Sequence, residues 1–164
     1  MPDRAPLLAA AAGIALLIPH AVRPVLVWNA TPSAPIGLYR ITAPLALRAG
    51  DLVIARPPAE AARLAATRGY LPRGVPLVKL IVALPGEPVC ARGAIVRAPR
   101  GMVVRRVSRD RRGRSLPWWR GCGALSASSY LLLMPHVPDS FDGRYFGPVS
   151  GALILGKAHP LWLL

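Results

Sequence analysis

The chain has 164 residues, is 53% hydrophobic and carries a formal net charge of +14. That is enough for one domain with a real core, and 19 prolines beside 15 glycines argue for turns and short strands over a helical bundle. The two cysteines, Cys90 and Cys122, are too few and too far apart for a zinc framework, and no H-E-x-x-H is present, so no metal is expected. A domain can be that basic if it binds nucleic acid or an anionic surface, and genomic composition bias is the other source of an arginine excess. The chain's basic residues include only two lysines, Lys79 and Lys157. Lysine can give up its proton inside a protein, whereas arginine cannot.

Leu7 to Ile18 is an unbroken apolar run. With its flanks it approaches the ~20 residues that cross a bilayer. Pro24 to Trp28 extends it, ending in a tryptophan suited to the interface. Residues 1–28 are expected to be a retained membrane anchor, and residues 29–164 a separate domain. A cleavable signal peptide is the alternative, but no clean small-x-small site precedes Asn29. Arg4 on one side and Arg23 and Arg40 on the other leave the orientation open.

Thr31-Pro-Ser-Ala-Pro-Ile-Gly-Leu-Tyr39 follows the apolar run. Ser33 lies between Pro32 and Pro35, which stiffen the segment, and Gly37 permits a turn. A nucleophilic serine needs such a display, because its hydroxyl must be aimed. Thr31 can offer a side-chain donor to a developing oxyanion. An ordinary proline-rich loop reads the same way.

Leu38 to Ile41 and Leu52 to Ala55 read as strands, the second entered through Gly50-Asp51. Ala59 to Arg68 reads as a short inserted helix, opened by Pro57-Pro58 and closed by Gly69. Val75 to Leu84 is apolar on both alternating faces and predicts a buried strand containing Lys79. Desolvation disfavours the ammonium, and a neutral amine is a competent base for a serine. A lysine snorkelling to water is the plainer reading.

Ala94 to Val107 predicts a hairpin turning at Pro99-Arg100-Gly101, and Asp110 to Gly113 the tip of a second. Arg105 to Arg114 is a basic block beside Trp118 and Trp119, either a solvated loop or a contact for lipid head groups or nucleic acid. With an anchor present, membrane lipid outranks nucleic acid, and no specific nucleic-acid partner is expected. Tyr130 to Met134 predicts a buried strand. Asp142 and Arg144 are spaced to form an ion pair, and Ser140 to hydrogen-bond an amine. Gly151 to Leu155 predicts the last strand, followed by an apolar tail over Pro160 to Leu164. In an oxidising compartment Cys90 and Cys122 are expected to form a disulfide; otherwise they are two buried thiols.

Taken together and in order, these segments resemble one family. The chain is similar to signal peptidases of the serine–lysine type (the S26 group), and more closely to their conjugative-transfer branch, the TraF-type proteases. Ser33-Ala-Pro-Ile-Gly-Leu-Tyr39 resembles that branch's S-x-P-x-G-L-Y. Lys79 through Leu84-Pro85-Gly86-Glu87 resembles the lysine box, which ends in L-P-G-D or similar. Ser140 to Val149 resembles the closing box S-x-D-x-R-x-x-G-x-V, and Gly50-Asp51-Leu52-Val53 also fits.

The resemblance implies Ser33 as nucleophile and Lys79 as general base. It implies Thr31 in the oxyanion hole, Ser140 orienting the lysine, and Asp142 with Arg144 stabilising the site. It also implies a mainly β, antiparallel catalytic domain behind an N-terminal transmembrane helix, on the periplasmic side of the bacterial inner membrane, with no cofactor. The implied substrate is a membrane-bound pilin-like precursor, in some systems joined head to tail after cleavage. Ala34 in place of the usual Met, Leu80 in place of Arg and Glu87 in place of Asp disfavour the alternative of a general leader peptidase. A Ser-His-Asp hydrolase using His136 or His159 lacks a nucleophile elbow. A non-catalytic basic component of a secretion or conjugation apparatus, binding lipid or DNA through Arg105 to Arg114, is the reading from another class.

Overall fold

The centre of the fold is the strand that the apolar pattern predicts. In the computed structural model, which describes residues 25–164, Leu77–Ala83 is a strand buried at every position except Leu80, which is half-buried. All of the expected anchor except Val25 to Trp28 lies outside the described residues. No helix among the described residues is long and apolar enough to cross a membrane.

The strands are β1 (Leu26–Asn29), β2 (Gly37–Thr42), β3 (Leu52–Ala55), β4 (Leu77–Ala83), β5 (Pro88–Arg92), β6 (Ile95–Arg97), β7 (Val103–Arg105), β8 (Gly121–Ala124), β9 (Ser129–Leu133), β10 (Val149–Ser150) and β11 (Ile154–Leu163). They form a seven-stranded sheet in the order β1-β2-β11-β3-β4-β9-β10 and a four-stranded sheet in the order β7-β6-β5-β8. Every pairing is antiparallel. Val89, Ala91, Val96 and Val104 of the smaller sheet pack on Val82, Leu131 and Leu133 of β4 and β9, closing one core between the sheets.

The inserted helix α1 (Ala59–Arg68) starts after Pro58 and ends at Gly69, whose left-handed backbone (φ 72°) lets its N–H reach Ala65 and Ala66 carbonyls. It buries only Ala61 and Ala65, as a surface insertion should. The hairpin at Pro99 is present, as is a bridge between Arg109 and Ser115. α2 (Gly143–Phe146) is a single turn capped by the Asp142 side chain, which accepts from the Arg144 N–H.

Two segments are arranged differently from what the apolar pattern predicts. β1 begins at Leu26, so Leu26 to Trp28 are part of the folded sheet and not the end of an anchor. The last strand starts at Ile154 and takes in the supposed apolar tail, pairing His159 with Arg40 and Leu163 with Gly37. Gly151 to Leu153 form a 3-10 turn instead. Gly156 and Pro160 disguise β11 because both are poor strand formers; the register shift between Pro160 and Trp162 accommodates the proline.

That pairing also explains Gly37. A Cβ at Gly37 would stand 2.1 Å from the Trp162 carbonyl oxygen, and its φ of 153° already disfavours side chains. Cys90 and Cys122 face each other across β5 and β8 and are joined as a disulfide.

Candidate active site

Asn29, the last residue of β1, organises the serine segment. Its carboxamide donates to the carbonyls of Thr31, Ala34 and Pro35 at 2.9, 3.0 and 3.0 Å. Its Oδ1 accepts from the Thr31 N–H at 3.2 Å and the Thr31 hydroxyl at 2.9 Å. Thr31 to Ala34 then form a turn closed by Ala34 N–H on the Thr31 carbonyl, with Pro32 at the corner that favours proline. Ala34 is buried with Ile54 of β3, Val78 of β4 and Met134, which brings the turn against those strands. Tyr39 Oη donates to the Pro35 carbonyl at 2.6 Å and pins the far side.

The turn delivers Ser33 to Lys79. The lysine Nζ lies 3.0 Å from Ser33 Oγ and 3.1 Å from Ser140 Oγ. Thr31 Oγ1 lies 3.2 Å from Ser33 Oγ. Lys79 is 1% exposed and so is Ser140. Burial pushes the Lys79 amine down; the negative charge of Asp142 pulls it back up and the positive charge of Arg144 lowers it again. The outcome is a pKa of about 8.

Asp142 and Arg144 are a buried pair. Arg144 Nε donates to Asp142 Oδ1 at 2.8 Å and Nη2 to Oδ2 at 3.0 Å. Asp142 also accepts from the Met134 N–H, while Arg144 spends further donors on the Met134 and Pro138 carbonyls. The pair thus ties the end of β9 to the loop that carries Ser140. Arg106, read from sequence as part of a basic block, is 2% exposed. It donates to the carbonyls of Gly93 and Arg144 and stacks its guanidinium 4.7 Å from the Trp118 ring. Asp110 gathers Arg68, Arg114 and the Tyr70 hydroxyl, fastening α1 to the second hairpin. Arg106 and Arg114 are therefore tied into the structure, while Arg105, Arg109, Arg111 and Arg112 of the same block are exposed.

All six of the residues expected at the site, Thr31, Ser33, Lys79, Ser140, Asp142 and Arg144, meet in one cluster. Asn29 was missed. An asparagine two residues before a proline-flanked turn, poised to bond its own backbone, was the available signal. Asn29→Ala should cost about 1–3 kcal/mol of stability, because it orphans carbonyls and the Thr31 donors. It should also slow turnover more than its loss of stability explains, since the Ser33 turn loses its tie; thermal midpoint and cleavage rate, measured together, check this.

The class is defined by the sequence. Residues 4–163 match the model of the signal peptidase family, peptidase S26, and the chain belongs to that family of membrane-associated peptidases. Within it, the similar proteins are conjugal transfer proteins. "Conjugal transfer protein TraF" of Agrobacterium fabrum is 35% identical over 82% of this chain and 80% of its own length. The protein of the same name from Agrobacterium tumefaciens is 37% identical over 82% of this chain and 80% of its own. "Plasmid transfer protein TraF" of Escherichia coli is 33% identical over 81% and 80%. A signal peptidase I of known structure from Enterococcus faecalis superposes with a TM-score of 0.40 at 18% identity, covering 70% of this chain and 98% of that one. The family assignment rests on the sequence matches.

Proposed function

We propose that the protein is a membrane-anchored serine endopeptidase with a Ser33–Lys79 dyad, and that it processes a membrane-bound precursor, a pilin subunit of a conjugation system. The observation that carries this reading is the desolvated Lys79 amine held 3.0 Å from the Ser33 hydroxyl. In its neutral form the amine has a lone pair for the Ser33 proton and an N–H for Ser140. Ser33 Oγ attacks the scissile carbonyl as its proton passes to Lys79 Nζ. The tetrahedral oxyanion takes a donor from Thr31 once that hydroxyl swings from Asn29. Lys79 returns the proton to the leaving amine, and water, activated by the same lysine, releases the acyl group. An incoming amine in place of water would give the head-to-tail product instead.

The membrane placement draws on an apolar surface. Val25, Leu26 and Trp28, at β1 and a few residues after the apolar run, and Leu161 to Leu164, at the end of β11, are exposed. Trp28 and Trp162 meet edge to face at 6.2 Å within it. A catalytic domain resting there on the periplasmic side would hold Ser33, four residues beyond Asn29, close to the bilayer. The relatives' names place them in conjugal and plasmid transfer, which supports a pilin precursor over general leader peptides.

The test is the pH dependence of cleavage, read by intact mass of a co-purified precursor. With an amine pKa of about 8, the neutral base is scarce below that pH and complete above it. Turnover should rise about tenfold from pH 7 to a plateau in alkaline solution. A flat profile across that range removes Lys79 as the base.

A further inference from the structure

The smaller sheet has an open edge with unusual electrostatics. β8 pairs with β5 alone among the described residues, and all four of its residues are exposed. Cys90 and Cys122 are opposite one another with a Cα–Cα distance of 4.0 Å. That spacing belongs to a non-hydrogen-bonded pair, so the N–H and C=O of Cys122 point away from β5. Two residues on, Ala124 stands opposite Pro88, which has no N–H to give, and its amide and carbonyl also face outward. The edge therefore offers backbone donors and acceptors in register for another strand.

The two sides of this edge differ. Residues Val89, Ala91 and Val96 face the core, so the alternate residues Arg92 and Arg97 stand on the outer face with Cys90 and Cys122. At the Gly121 end an open groove of about 590 Å³ is lined by Arg92, Gly93, Arg120 and Cys122. On the core side a second groove, of about 310 Å³, is lined by Val89, Trp119, Leu125 and Pro148. Among the described residues Arg92 and Arg120 have no counter-charge. Six of the seven acidic residues are described, and each is paired elsewhere: Asp51 with Lys157, Glu60 with Arg63, Glu87 with Arg100, Asp110 with Arg68 and Arg114, Asp139 with Arg111, Asp142 with Arg144. A second copy of a chain at +14, whose acids are scattered, cannot supply an acidic strand.

We infer that β8 is a docking edge for an extended segment of a partner protein that alternates acidic and apolar residues, added as a further strand beside Cys122 and Ala124. Its acidic side chains meet Arg92 and Arg120, and its apolar side chains enter the groove beside Trp119. Main-chain bonds give such a contact its affinity, and the alternate side chains give its specificity. The edge belongs to the smaller sheet and Lys79 to the larger one, so the inference stands apart from the proposed peptidase chemistry.

The experiment uses the full chain in detergent and a capped, fluorescent eight-residue peptide alternating Glu and Val, followed by anisotropy. The peptide is expected to bind, more weakly as salt rises. A Lys-for-Glu peptide should not bind. Arg92→Ala/Arg120→Ala should weaken binding at least tenfold while precursor cleavage is unchanged. N-methylation of the peptide amides that face β8 should abolish binding, and needs no change in the protein. Equal binding of both peptides, binding unaffected by the double substitution, or binding unaffected by N-methylation each overturns the proposal.

Discussion

Lys79→Arg should lose cleavage of the precursor by a factor of about 10³ or more. The substitution keeps a positive charge at a position that is 1% exposed, but a guanidinium does not deprotonate in a protein. It therefore removes the one property the dyad requires. Because a guanidinium is larger than an ammonium, a loss of folding would mimic this result. Lys79→Met separates the two. Methionine fills the stem's volume without a charge to desolvate, so the thermal midpoint should hold or rise while activity is lost just as completely. If Lys79 were only structural, activity would follow stability, and the methionine variant would stay active. Ser33→Ala should be equally inactive, and Ser33→Ala/Lys79→Met no worse than either alone. Groups that act as one unit do not add. Intact mass of a co-expressed precursor reads all four variants.

The proposed Ser33–Lys79 dyad was legible through the ordered motifs, since Ser33 alone also reads as part of an ordinary proline-rich loop and Lys79 alone as a lysine snorkelling to water. Legible from the residues themselves was the buried strand that carries Lys79. The same holds for α1, which carries its start and stop signals in Pro58 and Gly69. What was not legible depends on three-dimensional contacts that the linear pattern does not carry. Asn29 is a single polar residue at the end of β1, and its importance appears only when it is seen to hold Thr31, Ala34 and Pro35 together. β8 reads Gly-Cys-Gly-Ala and has no strand propensity of its own; β5 and the disulfide define it. Arg106 looks identical to its neighbour Arg105 in a basic run, yet alternation turns one into solvent and the other beneath Trp118. The expected strand stops at Leu155, just before Gly156, whereas β11 runs on through Gly156 and Pro160, the proline being accommodated by a register shift.

Removing one member of the Asp142–Arg144 pair should be the most destabilising single change at the site, about 3–5 kcal/mol, because it strands an uncompensated buried charge. Both side chains are at most 1% exposed, and between them they hold the Met134 N–H and the carbonyls of Met134 and Pro138. The two substitutions should nevertheless differ in a way stability alone cannot produce. Asp142 favours the Lys79 ammonium and Arg144 disfavours it. Asp142→Asn removes the attraction and leaves the repulsion, so the amine loses its proton more readily and the cleavage profile moves to lower pH. Arg144→Gln leaves the carboxylate and removes the repulsion, so the profile moves to higher pH. Opposite displacements of the profile midpoint, in variants that both melt earlier, mark the pair as an electrostatic setting for the base as well as a strut for the Ser140 loop. Shifts in the same direction, or none, confine it to the strut.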